Sequence, residues 1–79
     1  MSNTADLDDR LEGIVADRLR VDREEFDDAT EFDDLEAESL DMVEIAEAIE
    51  ADVGVHIPDD DLAEIDTVAD LKSYVAEHA

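Results

Sequence analysis

The sequence contains no cysteine and no tryptophan, and it has only two glycines, one proline and one lysine. Without cysteine there is no disulfide, and the cellular compartment cannot be inferred from thiols. The first residues lack the basic and apolar regions of a secretory signal, and no apolar run reaches membrane-spanning length. We therefore expect a soluble, cytoplasmic protein that does not insert into a membrane.

Positively charged residues are also scarce. The chain has 5 Lys and Arg residues and 27 Asp and Glu residues, which gives a net charge of −22. So few cations cannot neutralise a phosphate backbone, and binding to DNA or RNA is therefore disfavoured. Such acidity is also typical of disordered chains, but here 44% of the residues are hydrophobic, at helical spacing. We predict one domain over residues 1–79, with its core in about residues 5–78.

The charge pattern has a second implication. A single lysine, Lys72, together with acidic residues at nearly every exposed position, resembles the composition of proteins from salt-accumulating, halophilic microbes. Self-repulsion destabilises such a chain at low salt. At about 1 M salt the Debye length falls to roughly 3 Å, which removes most of that penalty. The alternative is an unusually acidic protein from an ordinary cell.

Residues 35–53 contain the clearest helical pattern, with Ser39 at its head. Apolar residues follow at the spacing of one helix face, at Met42, Ile45, Ala46, Ile49 and Val53. Leu40 and Val43 widen this stripe on one side. Acidic residues recur at steps of three and predict a continuous row, the acidic ridge, formed by Asp41, Glu44, Glu47 and Glu50.

Three further helices complete a predicted all-α, small four-helix bundle with three main helices and one short one. The first is capped by Thr4 or Asp6 and ends near Leu19. A long loop over residues 20–38 follows, and three apolar residues are expected to anchor it to the core: Phe26, Phe32 and Leu35.

The second half of the chain is divided by its turn residues. Gly54 is expected to end the second helix, and Pro58 forces a break after it. The predicted caps are Asp59 or Asp60 for the short helix, which extends to Ile65, and Thr67 for the last helix.

Ser39 is the candidate functional residue. A helix N-terminus offers unpaired N–H groups and the positive end of the helix dipole, so it stabilises a phosphate. Neither His56 nor His78 belongs to a recognisable triad motif, and no catalytic residue is predicted. The pattern therefore favours a modified serine over a nucleophilic one, and the ordinary alternative is a serine that only caps the helix.

The stretches ESLDMVEIAEAIE and VHIPDDDLAEIDTVADLKSYV resemble the acyl carrier protein family, whose pattern is D-S-L-D-x-V-E followed by an amphipathic helix and an I-P-D…T-V-x-D tail. The resemblance covers most of the chain and implies a bundle of acyl-carrier type. It also implies that Ser39 carries 4'-phosphopantetheine, whose thiol holds an acyl group as a thioester in fatty-acid or related acyl-chain biosynthesis. The protein would then be a carrier rather than an enzyme.

The same resemblance implies the partners: a phosphopantetheinyl transferase, and acyl-transfer and condensing enzymes with basic docking patches. It places the partner contacts at Glu38, Leu40, Asp41, Met42, Glu44, Glu47 and Glu50. In so acidic a chain, an ordinary solvated face is the competing interpretation of the acidic ridge. The carrier is expected to be a monomer without a metal site, because Asp59, Asp60 and Asp61 lack calcium-loop spacing.

Two alternatives remain open. One is a carrier of the same fold for aminoacyl or polyketide intermediates. The other is an unmodified acidic helical adaptor that binds a basic protein. The adaptor is retained because the family prefers Gly-x-Asp before the serine, whereas this chain has Glu36, Ala37 and Glu38.

The net charge of −22 predicts a salt-dependent fold. Helical circular dichroism should strengthen between dilute buffer and about 1 M KCl, because salt screens the repulsion between carboxylates. Full helicity in dilute buffer without divalent cations would contradict the halophilic origin while leaving the carrier interpretation intact.

Overall fold

The computed structural model describes residues 3–79, and Met1 and Ser2 of the predicted domain lie outside this range. Its regular elements are four α-helices: α1 (Asn3–Leu19), α2 (Ser39–Val53), α3 (Asp59–Leu62) and α4 (Val68–His78). The long α1–α2 loop contains two 3₁₀ turns, Arg23–Glu25 and Phe32–Leu35. The predicted all-α class, with three main helices and one short one, is confirmed. None of the described helices has the length and apolar character required to cross a membrane.

The core lies between the three long helices. Its fully buried side chains are Leu11, Val15, Ile45, Ile49, Val68, Leu71 and Val75. Full burial of one such side chain contributes about 1.5–3 kcal/mol, so these residues dominate the stability of so short a chain. Leu40, predicted to widen the apolar stripe of α2, is instead 67% exposed. It lies in the first turn of α2 and does not pack against the core, so that part of the prediction was wrong.

The caps confirm some predicted boundaries and correct others. Gly54 follows α2 with φ +84°, as its predicted role requires. Helix α1 has already begun at Asn3, so Thr4 and Asp6 lie inside it and do not cap it. Helix α3 begins directly after Pro58 and ends at Leu62, three residues earlier than expected.

The α1–α2 loop is held by its aromatic residues and by an ion triad. Phe32 is buried and Phe26 packs against the core, whereas Leu35 is half-buried and lies outside the packed cluster. Lys72 of α4 places its Nζ 2.5 Å from a carboxylate oxygen of Glu12 and 2.6 Å from one of Asp28. Burial lowers the pKa of Lys72, but its hydrogen bonds to the two carboxylates outweigh burial and raise it above its ordinary value. The triad joins α1, the loop and α4.

Two arginines form further ion pairs between distant parts of the chain. Arg10 of α1 contacts the carboxylate of Asp52 in α2 at 3.1 Å. Arg23 pairs with the carboxylate of Asp9 and donates to its carbonyl oxygen at 2.9 Å. The guanidinium approaches α1 so closely that a Cβ at Gly13 would lie 2.7 Å from Nη2 of Arg23. Glycine at position 13 therefore provides the space for this contact.

The loop is also hydrogen-bonded to the start of α4. The N–H of Phe32 donates to the carbonyl of Asp66 at 2.8 Å. In return, the first two N–H groups of α4 donate to loop carbonyls: Val68 to Thr30 at 3.1 Å and Ala69 to Asp28 at 2.9 Å. These three bonds are here called the loop clamp. They satisfy helix donors that would otherwise need side chains or water.

The next donor of α4 is satisfied by a capping box. Thr67 Oγ1 accepts from the N–H of Asp70 at 3.0 Å, as its predicted capping role requires. The Asp70 carboxylate accepts from the N–H groups of Asp66 and Thr67, both at 3.1 Å. These bonds, that from Asp66 foremost, hold the pKa of Asp70 below its ordinary value.

This capping box predicts a pH-dependent effect of Asp70→Asn. A carboxylate with a lower pKa in the folded chain stabilises the fold above its unfolded value of about 3.9, and that stabilisation is lost as pH falls through the depressed folded value. The variant should therefore have a lower free energy of unfolding than wild type at about pH 7, and the difference should shrink as pH falls below about 4. Urea unfolding across this pH range measures it.

The control is Asp60→Asn, which removes an equal charge from an exposed residue without a side-chain hydrogen bond among the described residues. It should leave stability unchanged or raise it, because it lowers the self-repulsion of the chain. A deficit in Asp70→Asn that stayed constant down to about pH 3 would show that the carboxylate is not the source of the effect.

Candidate functional site

Ser39 is the first residue of α2 and is exposed. The residue in the capping position is Glu38, so the interpretation of Ser39 as a cap is wrong. The first helical hydrogen bond runs from the N–H of Met42 to the carbonyl of Glu38 at 3.0 Å. The Ser39 hydroxyl makes no hydrogen bond to another described residue, so it is free to react or to be modified.

The start of α2 differs from the start of α4 in its N–H groups. Helix α4 has its first donors paired with the loop clamp and with Thr67. In α2, the N–H groups of Ser39 and Leu40 have no acceptor among residues 3–79. Open donors at the positive end of a helix dipole favour a bound anion, and a phosphate above all.

Asp41 contributes to the geometry of this helix start. Its carboxylate accepts from the N–H of Glu38 at 3.0 Å, which fixes the direction in which the chain enters the helix. The predicted partner residues Glu38 and Asp41 are thus joined to each other beside Ser39. Asp41 is half-buried and takes part in the helix cap, and its predicted partner contact stays a prediction.

The segment before Ser39 contains a residue in an uncommon backbone conformation. Glu36 has φ +59° and ψ +32°, in the left-handed region. Its N–H bonds to the carbonyl of Asp33, and the N–H of Ala37 bonds to that of Phe32, both at 3.1 Å. A residue with a Cβ loses about 1 kcal/mol or more in this conformation, whereas glycine adopts it freely. This explains the glycine that the acyl carrier pattern has at the same place.

An apolar groove opens beside Ser39, with a volume of about 370 Å³. It lies between the loop, α2 and α3. Its apolar lining is Phe32, Ala37, Met42, Val43, Leu62, Ala63 and Ile65. Its acidic lining is Glu31, Asp33, Glu38, Asp59 and Asp66. The groove could accommodate an apolar chain next to the serine.

Sequence periodicity did not reveal this groove. Helical spacing marks residues as apolar but cannot separate those that fill the core from those that line a gap between elements. The structure places Met42 in the groove wall, and its predicted role as a partner contact stays a prediction. The wall formed by α3 is tied to α4 by Tyr74, whose hydroxyl donates to Asp61 at 2.7 Å, and this bond raises the pKa of Tyr74.

The acidic ridge is present, but its residues differ in exposure to solvent. Glu47 and Glu50 are exposed, and Glu44 is half-buried like Asp41. Glu50 Oε1 lies 3.0 Å from Nδ1 of His56. The sequence has no lysine or arginine between Arg23 and Lys72, and no cation of either type contacts a ridge carboxylate in the described structure. Leu40 is exposed directly after Ser39, so an apolar side chain and a row of carboxylates without lysine or arginine partners among the described residues lie beside this serine.

Comparison with known proteins adds an independent finding. Residues 9–75 match the family described as "Phosphopantetheine attachment site". An acyl carrier protein of Clostridium perfringens is 42% identical over 71 residues, which cover 89% of this chain and 93% of the relative. An acyl carrier protein of Zymomonas mobilis subsp. mobilis is 43% identical over 79 residues, which cover 99% and 97% of the two chains. The matched range includes Ser39 and all residues of the groove.

Proposed function

The chain belongs to the phosphopantetheine-binding acyl carrier protein family, and from this membership we propose that Ser39 is the residue that bears the 4'-phosphopantetheine arm. The protein is an acyl carrier with a covalent phosphopantetheine group. When attached, that group supplies the terminal thiol on which an acyl chain is held, a thiol that the cysteine-free chain itself lacks.

The observation that carries the proposal is the open start of α2. Ser39 presents an exposed, unbonded hydroxyl, and the N–H groups of Ser39 and Leu40 remain available for phosphate oxygens. A phosphodiester on Ser39 would meet the positive end of the α2 dipole. This favourable contact offsets repulsion from the nearby carboxylates of Glu38 and Asp41. The residues present therefore fit the group.

The groove provides the second element of the proposal. We expect it to shelter the first carbons of the acyl chain, because its apolar wall begins at Met42 and Val43, within one turn of Ser39. The acidic lining favours a neutral cargo over an anionic one, because Asp59 and Asp66 would repel a carboxylate of the cargo that was buried in the groove. Each methylene moved from water to the groove contributes about 0.8 kcal/mol.

The protein acts as a carrier rather than a catalyst, so its function depends on brief contacts with enzymes. We propose a phosphopantetheinyl transferase and acyl-transfer or condensing enzymes with basic docking patches as those partners. Leu40 would be the apolar anchor of the contact, with Glu44, Glu47 and Glu50 as its charged rim. An exposed leucine surrounded by carboxylates suits this role, because apolar anchors give affinity while charges orient the encounter.

The first test is the intact mass of the protein purified from its native cell, followed by peptide mapping across Ser39. The expected result is one phosphopantetheine adduct on Ser39, and any acyl group on its thiol would identify the cargo as fatty acyl, polyketide or aminoacyl. Ser39→Ala should be fully unmodified and equally helical, because the hydroxyl makes no internal bond. An unmodified wild-type protein in a cell with an active transferase would favour the acidic adaptor.

The docking surface generates a separate prediction for Leu40→Ala. Since Leu40 is 67% exposed, its truncation should change the free energy of unfolding by no more than about 0.5 kcal/mol. The kcat/KM of an acyl-transfer enzyme acting on the loaded carrier should nevertheless fall about tenfold, as for an interface anchor. Glu77→Ala, an exposed change at the far end of α4, is the control and should leave kcat/KM unchanged. If Leu40→Ala and Glu77→Ala had the same kcat/KM, Leu40 would not be part of the docking surface.

A further inference from the structure

One wall of the groove is formed by residues 58–65, a segment that contains α3 and is here called the α3 wall. Its hydrogen-bonded N–H groups donate to carbonyls of the same segment, and no side chain caps the start of α3. Within the described structure, one hydrogen bond joins the α3 wall to another element. In this bond the hydroxyl of Tyr74, on α4, donates to a carboxylate oxygen of Asp61 at 2.7 Å.

The two sides of the α3 wall face different surroundings. Leu62 and Ile65 are buried apolar residues, and both line the groove. Asp61 does not line the groove and instead lies with Tyr74 in the recess between α3 and α4. An apolar chain in the groove would therefore contact Leu62 and Ile65, whereas the bond from Tyr74 to Asp61 lies outside its path.

Tyr74 is held in place by contacts of its own. Its ring packs against the core and stacks on the ring of His78, with ring centroids 4.1 Å apart and planes 15° apart. The hydrogen bond to Asp61, together with burial, raises the pKa of Tyr74 above its ordinary value. The hydroxyl therefore stays protonated around neutral pH and remains a donor to Asp61.

The loop on the other side of the groove is attached more firmly. Phe32 is buried in the core, and the loop clamp joins this loop to α4 through three backbone hydrogen bonds. One of these bonds holds Asp66, the residue directly after the α3 wall. Segments with few hydrogen bonds to the rest of a protein open at the lowest free energy. The α3 wall is such a segment, and it can move about its fixed end at Asp66.

On the basis of the proposed sheltering of the acyl chain, we propose that Tyr74 is a positioning residue for the cargo. Its bond to Asp61 holds the α3 wall closed, and the groove opens by movement of this wall rather than of the loop. The bond thereby sets the fraction of time for which the sheltered chain is exposed to solvent or to a partner enzyme.

Amide hydrogen exchange of the unloaded full chain tests which wall moves. In Tyr74→Phe, which keeps the ring and removes the hydroxyl, the N–H groups of Ala63 and Glu64 should exchange about tenfold faster. This is the expected effect of losing one partly exposed hydrogen bond to a charged group. The N–H groups of Glu36 and Ala37, on the loop side, should exchange at the wild-type rate.

Variants of the acceptor show whether the bond itself is responsible. Asp61→Ala should accelerate exchange of the α3 wall as Tyr74→Phe does, and the double variant should be no faster than either, because both changes remove the same bond. Asp61→Asn keeps an acceptor oxygen and should stay closer to wild type. Asp60→Ala is the matched control: it removes an equal charge from the first turn of α3, and it should exchange within about twofold of wild type.

The loaded carrier tests the effect on the cargo. Hydroxylamine takes the acyl group from the thioester as a hydroxamate and releases the thiol. With an octanoyl cargo, Tyr74→Phe should be cleaved about threefold faster than wild type and Asp60→Ala, because the larger open population exposes the thioester more often. An acetyl cargo is too short to reach along the groove and should be cleaved equally in all three proteins.

Each result decides a separate part of the proposal. Unchanged exchange of the α3 wall in Tyr74→Phe would overturn the inference. Equal acceleration at Glu36 and Ala37 would also overturn it, since the bond would then stabilise the whole fold. Faster exchange with unchanged cleavage of the octanoyl thioester would show that the wall moves without exposing the cargo. If Ser39 cannot be loaded, the proposed attachment fails, whereas the exchange of the unloaded chain still decides whether Tyr74 holds the wall.

Discussion

The loop clamp is the interaction on which the rest of the structure depends. A loop of nearly twenty residues connects α1 to α2, and so long a connection needs internal fixation in a compact domain. The clamp pairs the carbonyls of Asp28 and Thr30 with the first N–H groups of α4. These bonds give acceptors to the N–H groups at the start of the helix, and they also hold the loop in place. Once Phe32 is fixed there, the short segment from Glu36 to Ser39 has little freedom left. The open start of α2 and the groove beside it are consequences of this arrangement.

Charge is distributed so that cations join elements and carboxylates face outward. Three of the five cations tie distant parts of the chain together: Arg10, Arg23 and Lys72. The exposed pairs formed by Arg10 and Arg23 are individually weak, and at a net charge of −22 each pair also relieves local repulsion. Residues 24–71, which include the second half of the loop, α2 and α3, contain no lysine or arginine. A partner thus meets an anionic surface around Ser39, whereas the cations of α1 lie elsewhere.

Much of this architecture was predictable from the sequence, because helical periodicity and turn chemistry are local. The ends of α2 at Ser39 and Gly54 and the capping role of Thr67 follow from residues within a few positions of each other. Local rules failed where tertiary contacts decide. The exposure of Leu40 and the groove beside Met42 depend on how the helices and the loop pack together, which no spacing along the chain encodes. The family resemblance identified the glycine that Glu36 replaces, but only the backbone angles gave the physical reason for it.

The triad around Lys72 has a consequence for the chemistry of the cargo. A thioester is an acylating agent, and the groups in a protein that intercept it are thiols and uncharged amines. The chain has no cysteine, and its one lysine is 11% exposed at the side chain, paired with two carboxylates, and shifted towards its charged, non-nucleophilic form. Aminolysis of the carried acyl group by a lysine of its own carrier is therefore suppressed twice, by shielding and by protonation. The composition that makes the surface acidic therefore also leaves no thiol, and only this one shielded lysine, to attack the bond that the protein transports.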